Sequence, residues 1–124
     1  TRNWIISNYG DSSSISLERE GFADMVIHSS ENIKTAVKIV MTINNPQMAI
    51  FRFRDYFTRA YYEVNEKLFD RYMFIIIYAS DTPLETVISN QERIAMKYNS
   101  DNIDFEIISG YINDNNKFEV IGFS

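Results

Sequence analysis

The chain has 124 residues, carries 12 Lys and Arg against 17 Asp and Glu, and holds a formal net charge of -5. That length fits one domain with a real core, and the acidic balance argues against general binding to nucleic acid, whose phosphates require a basic surface. The lack of cysteine excludes a disulfide framework, a thiolate zinc site and a thiol nucleophile, and no stretch reaches the roughly 18 apolar residues of a membrane span.

In chain order, Trp4, Ile5 and Ile6 form a short apolar run expected to open the sheet as a strand, and residues 10–14 follow as a turn. Residues 14–19 alternate weakly, with Ile15 and Leu17 on one side, and Gly21 separates them from a strand expected over 22–28. Ser29, Ser30, Glu31 and Asn32 read as a turn. Over 33–43 two periods compete: Ile33, Ala36, Val37, Val40 and Met41 make a helical stripe, whereas Val37, Ile39, Met41 and Ile43 alternate. The density of β-branched residues favours a strand.

A helix from Pro46 to Arg71 would span about 26 residues, or roughly 39 Å, which is long for so small a domain. Residues 48–54 also alternate, Ala49, Phe51 and Phe53 against Ile50, Arg52 and Arg54, so they are expected to pair with 35–43 across a turn at 44–47. Asp55 then caps a helix reaching about Arg71, with Phe57, Ala60, Tyr61, Val64, Leu68 and Tyr72 on one face.

Residues 73–80 form the segment around which the rest is arranged. Phe74 to Tyr78 is an unbroken apolar run rich in isoleucine, the pattern of a strand buried on both faces. Thr82, Pro83 and Glu85 read as N-cap, first helical position and capping-box acid of a helix over 83–98. Its expected inner face is Leu84, Val87, Ile88, Gln91, Ile94, Ala95 and Tyr98. A turn at 99–102, a strand over 103–112, a turn at 113–116 and a strand over 117–123 close the chain as a β-hairpin. The predicted fold is α+β: a single mixed sheet with an N-terminal antiparallel meander, then helix, strand, helix and C-terminal hairpin, the two main helices packed on the sheet.

This element order resembles that of the later part of GNAT-type acetyltransferases. The resemblance implies a Gly-rich turn at the start of the first helix to hold a cofactor pyrophosphate. At the corresponding Arg54, Asp55, Tyr56 and Phe57 there is no glycine, and a carboxylate at Asp55 would repel phosphate there.

Candidate chemistry is sparse. His28 is the single histidine, and its strand neighbour Ser29 points to the opposite face, so the two do not form a base and nucleophile. Asp101, Asp104, Glu106, Asp114 and Glu119 cluster near the C-terminal hairpin with Lys117 as the one basic residue. Their spacing lacks the odd positions and central glycine of a calcium loop. They read instead as an acidic surface for a basic partner, Asp104 and Glu106 sharing a strand face.

Between Phe51 and Tyr62 aromatic and basic residues interleave, a combination able to stack bases. Periodicity assigns Phe51, Phe53, Phe57 and Tyr61 to the core and leaves Arg52, Arg54, Tyr56, Arg59 and Tyr62 as an exposed set of the kind protein interfaces favour. Gly10, Gly21, Gly110 and Gly122 stand apart and form no phosphate loop. Thr1, the alternative N-terminal nucleophile, reads as a processed terminus, and with no signal-like segment the expected location is cytoplasmic.

The expectation is thus a small acidic interaction protein that binds a macromolecule, a protein and not nucleic acid or membrane, in the manner of an inhibitor, immunity factor or phage-encoded modulator. It carries no catalytic residue, metal or cofactor. A degenerate GNAT-like acyltransferase and a structural subunit of a larger assembly are the alternatives.

Overall fold

The computed structural model describes residues 2–9, 13–16, 21–43, 45–98 and 104–123. Its elements in order are α1 (Arg2–Tyr9), β1 (Ser13–Ser16), β2 (Met25–Ser29), β3 (Lys34–Met41), α2 (Met48–Asn65), β4 (Arg71–Tyr78), α3 (Leu84–Tyr98), β5 (Phe105–Ile112) and β6 (Phe118–Phe123). The strands form one six-stranded sheet in the order β1-β2-β3-β4-β5-β6. β1, β2 and β3 are an antiparallel meander, β3, β4 and β5 run parallel, and β6 turns back antiparallel to β5.

β4 lies at the centre because its sequence can be buried from both sides. Tyr72, Phe74, Ile76 and Tyr78 face one way and join Phe53 and Ala60 of α2 with Val87 and Ile94 of α3. Met73, Ile75 and Ile77 face the other way and pack with Ile27, Val37, Ile108 and Ile5 of α1. Two crossovers that advance in the same direction and the same hand place both long helices on one face. The opposite face receives the eight-residue α1, whose Trp4 meets Phe118 edge-on at 5.5 Å between ring centres. No helix among the described residues is long and apolar enough to cross a membrane.

The mixed sheet, its meander, the two packed helices and the closing hairpin agree with the sequence expectation. Residues 33–43 contain the strand, β3, in register with β4 from Thr35 opposite Arg71 to Met41 opposite Ile77. Several local expectations are overturned. Trp4, Ile5 and Ile6 lie in a helix, not a strand, with Ile5 buried and Ile6 turned outward. Residues 48–54 are the first turns of α2 rather than a strand, so residues 45–47 lead into a helix and not into the second strand of a hairpin. Ala49, Phe53, Phe57, Ala60 and Val64 repeat at spacings of three and four through that whole segment, and this longer period wins over the short alternation. Asp55 consequently sits inside the helix and caps nothing, and the loop before the helix, at Asn45, Pro46 and Gln47, again has no glycine to resemble the acetyltransferase turn.

Helix α2 also ends well before Arg71. Lys67 adopts a left-handed φ of 62°, Leu68 N–H donates to the Glu63 carbonyl at 2.9 Å, and Lys67 N–H to that of Val64 at 3.0 Å. This is a Schellman closure. Leu68 and Tyr72 therefore lie beyond the helix that was expected to carry them. In α3 the buried residues are Val87, Asn90, Gln91 and Ile94, while Leu84 and Ile88 are 57% and 47% exposed, contrary to the expected face. The expected turn at 10–14 and the strand at 14–19 fall largely on residues outside those described, as do residues 99–103 and Thr1.

Candidate functional site

Asp101 lies outside the described residues. Asp104 sits at the entry to β5, where its carboxylate pairs with the Arg71 guanidinium at 3.0 Å. Glu106 follows on the same strand face, beside Met73 of β4 in register. Asp114 occupies the hairpin turn at the far end of β5, ten residues from Asp104, or about 33 Å of extended chain. The acidic residues near the hairpin are thus not brought to one place. Glu119 is used within the hairpin: Tyr111 O–H and Asn113 Nδ2–H each donate to it at 2.6 Å.

The basic and aromatic residues of α2 spread around its circumference. Arg52, Tyr56 and Arg59, at spacings of four and three, line the flank toward β3. Arg52 donates to the Met41 carbonyl, Tyr56 meets Phe22 edge-on at 5.0 Å, and the Arg59 guanidinium lies 5.1 Å from the same ring. Tyr62, 60% exposed, shares the outward side with Phe51, whose 58% exposure contradicts its assignment to the core. Tyr61, likewise expected inside, is 38% exposed. Arg54 pairs with its neighbour Asp55 at 3.6 Å in full view of solvent. His28 is exposed, and Ser29 Oγ is occupied in closing its turn, accepting from the N–H groups of Glu31 and Ile33.

A recess of about 320 Å³ opens at the amino ends of the parallel strands, on the face that carries α1. Ile27, Ile33 and Met73 supply its apolar wall, Ser30 and Thr35 hydroxyls, and Arg71, Glu106 and Glu31 its charge. Topology sets the position: Thr35, Arg71 and Glu106 lie within the first two residues of three adjacent parallel strands, each pointing to the same face. Glu106 is held above the usual carboxylate range by burial foremost; Arg71 opposes this, and repulsion from Asp104 adds a smaller upward push. It makes no hydrogen bond or close ion pair with any described residue, whereas Arg71 is engaged by Asp104.

At the opposite ends of these strands, side chains hydrogen-bond to the backbone. Open α/β sheets bind ligands outside the carboxyl ends of their strands, where strand order reverses. Strand order here never reverses. Thr42 donates from both N–H and hydroxyl to the Ile77 carbonyl, at 2.9 and 3.0 Å, and buried Asn90 donates to the Pro46 carbonyl at 3.0 Å.

A second polar group, not anticipated from sequence, lies under α2. Glu63, 4% exposed, accepts from the Tyr72 hydroxyl and from the Phe22 N–H at 3.1 Å. Burial foremost, and the adjoining Glu63, push the Tyr72 phenol far above its ordinary range. Lys38, 6% exposed, pairs with Asp24 at 3.4 Å and lies 4.2 Å from the Phe22 ring centre and 5.2 Å from that of Tyr56. Asp24 also accepts the Ile39 N–H at 2.9 Å. These bonds fasten residues 21–24 to α2 and β3. The signal was present in the sequence: Glu63 is three residues from Ala60 and seven from Tyr56, and Lys38 alternates with Ala36 and Val40.

Among the described residues no three His, Asp or Glu side chains come together in a way that could hold a metal ion. Compared with models of protein families, with curated proteins and with solved structures, the chain matches none of them.

Proposed function

We propose that this chain is a cytoplasmic binding protein that acts by occupying a basic surface of a protein partner, in the manner of an inhibitor or immunity factor. The observation that carries the reading is the concentration of acid at one end of the sheet. Glu31, Asp70, Asp104 and Glu106 surround the amino ends of β3, β4 and β5, and Arg71 is the guanidinium among them. Asp70 is exposed and fixed there by the Lys34 N–H, which donates to it at 2.7 Å. A patch whose net charge is of one sign speeds encounter with a partner of the opposite sign and disfavours wrong partners. The strand order, which never reverses, and the glycine-free entry to α2 favour this reading over acyl transfer.

The test is capture from host lysate with tagged protein at low and high salt, followed by mass spectrometry. A stoichiometric partner lost at high salt is expected, with Asp70→Lys and Asp104→Lys reducing capture tenfold or more and Asp114→Lys leaving it unchanged. Equal capture by all three variants would remove the steering role of the strand ends.

A further inference from the structure

We infer that the recess at the amino ends of β3, β4 and β5 receives the aliphatic stem and terminal cation of a lysine or arginine side chain from the partner. The inference rests on the proposed function and names the point at which that partner would engage. Its starting point is the chemistry of the recess, which joins an apolar wall to two carboxylates, Glu31 and Glu106, and one guanidinium, Arg71. Ile27, Ile33 and Met73 offer a surface that methylene groups can cover, as long basic side chains do when they lie along apolar surface. The volume of about 320 Å³ is at the lower end of the range for sites that enclose small organic groups.

The sign of the charge follows from which group is already satisfied. Arg71 has Asp104 against it at 3.0 Å, so an incoming anion would share the guanidinium with that carboxylate and lie beside both Glu106 and Glu31. Glu106 has no hydrogen-bonding or close ionic partner among the described residues, although it is the more desolvated of the two carboxylates. An ammonium or guanidinium entering the recess gives Glu106 a direct ionic contact, where Arg71 acts on it only at a distance, and breaks no existing pair. A half-buried charge gains more from such a partner than an exposed one, because solvent screens it less. A neutral apolar group would fill the wall and leave Glu106 uncompensated.

The experiment uses n-pentylamine, protonated at neutral pH, as a lysine-like probe and pentanoate as its anionic counterpart, each titrated into the isotopically labelled full chain. Saturable amide shifts centred on Ile27, Ile33 and Met73 are expected with n-pentylamine, at concentrations at least tenfold below those at which pentanoate acts. Glu106→Gln, which keeps the shape of the side chain, should weaken the amine at least tenfold while the rest of the spectrum stays in place. A response to pentanoate equal to that of the amine, or an unchanged response in Glu106→Gln, overturns the inference. The same variant in the capture experiment decides the source of the cation: loss of the partner supports a side chain from it. Full capture by Glu106→Gln overturns the inference and leaves the proposed function standing. Amine binding that depends on Glu106, with no protein captured, overturns the proposed function instead, and with it the assignment of the cation to a partner.

Discussion

Glu63 places a carboxylate inside an apolar layer, and the local structure is arranged to satisfy it. One oxygen takes the Tyr72 hydroxyl and the other the Phe22 N–H, so each end of the carboxylate ties a different segment to α2. Tyr72→Phe should lower stability by about 1–3 kcal/mol, the usual cost of leaving a buried polar group without its partner, measured by urea unfolding. Gly21 is the matching constraint: its φ of 58° is left-handed, and a Cβ there would collide with Glu63 Oε2. Gly21→Ala is therefore expected to destabilise by a similar amount and to loosen the amides of residues 21–24 in hydrogen exchange.

Two glutamates of the C-terminal hairpin should respond to pH with opposite sign. Glu106 is raised, chiefly by burial, so the folded chain holds its proton more tightly than the unfolded chain does. Stability from this group is present below the ordinary glutamate range and declines as pH rises through the raised value. Glu106→Gln should then equal the parent in stability below about pH 4 and exceed it at neutral pH. Glu119 is lowered by its bonds from Tyr111 and Asn113, so its contribution is present above the ordinary range and is lost on acidification. Denaturation midpoints of Glu106→Gln and Glu119→Gln across pH 3–7 would separate the two.

At the scale of elements, the boundary of α2 explains where sequence pattern succeeds and fails. A helix starting at Pro46 was set aside because its end was placed at Arg71, which made it too long. The chain instead stops it by putting Lys67 in the left-handed conformation, with no glycine to mark the spot. Lysine is strained there and glycine is not, so Lys67→Gly should raise the urea midpoint, by roughly 1 kcal/mol or less, with an unchanged slope. In α3 a pure hydrophobicity pattern chose Leu84 and Ile88 for the core and passed over Asn90. Asn90 is buried because its amide meets the Pro46 carbonyl, and that long-range partner has no signature in the local sequence. Ile88→Lys should be nearly neutral in thermal unfolding, while Asn90→Leu should cost about 1–3 kcal/mol by orphaning that carbonyl.

For the whole molecule, the sheet and its helix layer were legible because β4 declares burial on both faces through an unbroken apolar run, and the hairpin through its paired Asn-rich turn. The candidate site was legible in part. Asp104 and Glu106 sit together as alternation requires, but Asp114, close to them in sequence, is carried to the other end of the strand. Arg71, Ile27 and Ile33 join the recess from segments more than thirty residues away in the chain from Glu106, and it is the parallel register of β3, β4 and β5, with β2 antiparallel beside β3, that brings them there.

That strand order has a further consequence for how the molecule is made. Every strand lies beside the one synthesised just before it, and none is inserted between two earlier ones. As the chain leaves the ribosome, at about 5–20 residues per second, the sheet can grow by accretion at a single edge, each arrival docking on a template already in place. The exposed edge of the nascent sheet is always the newest strand, which the next one covers. In the finished fold that role falls to β6, where Glu119 stands exposed on the last strand. A charge on an open strand edge discourages a further chain from continuing the series.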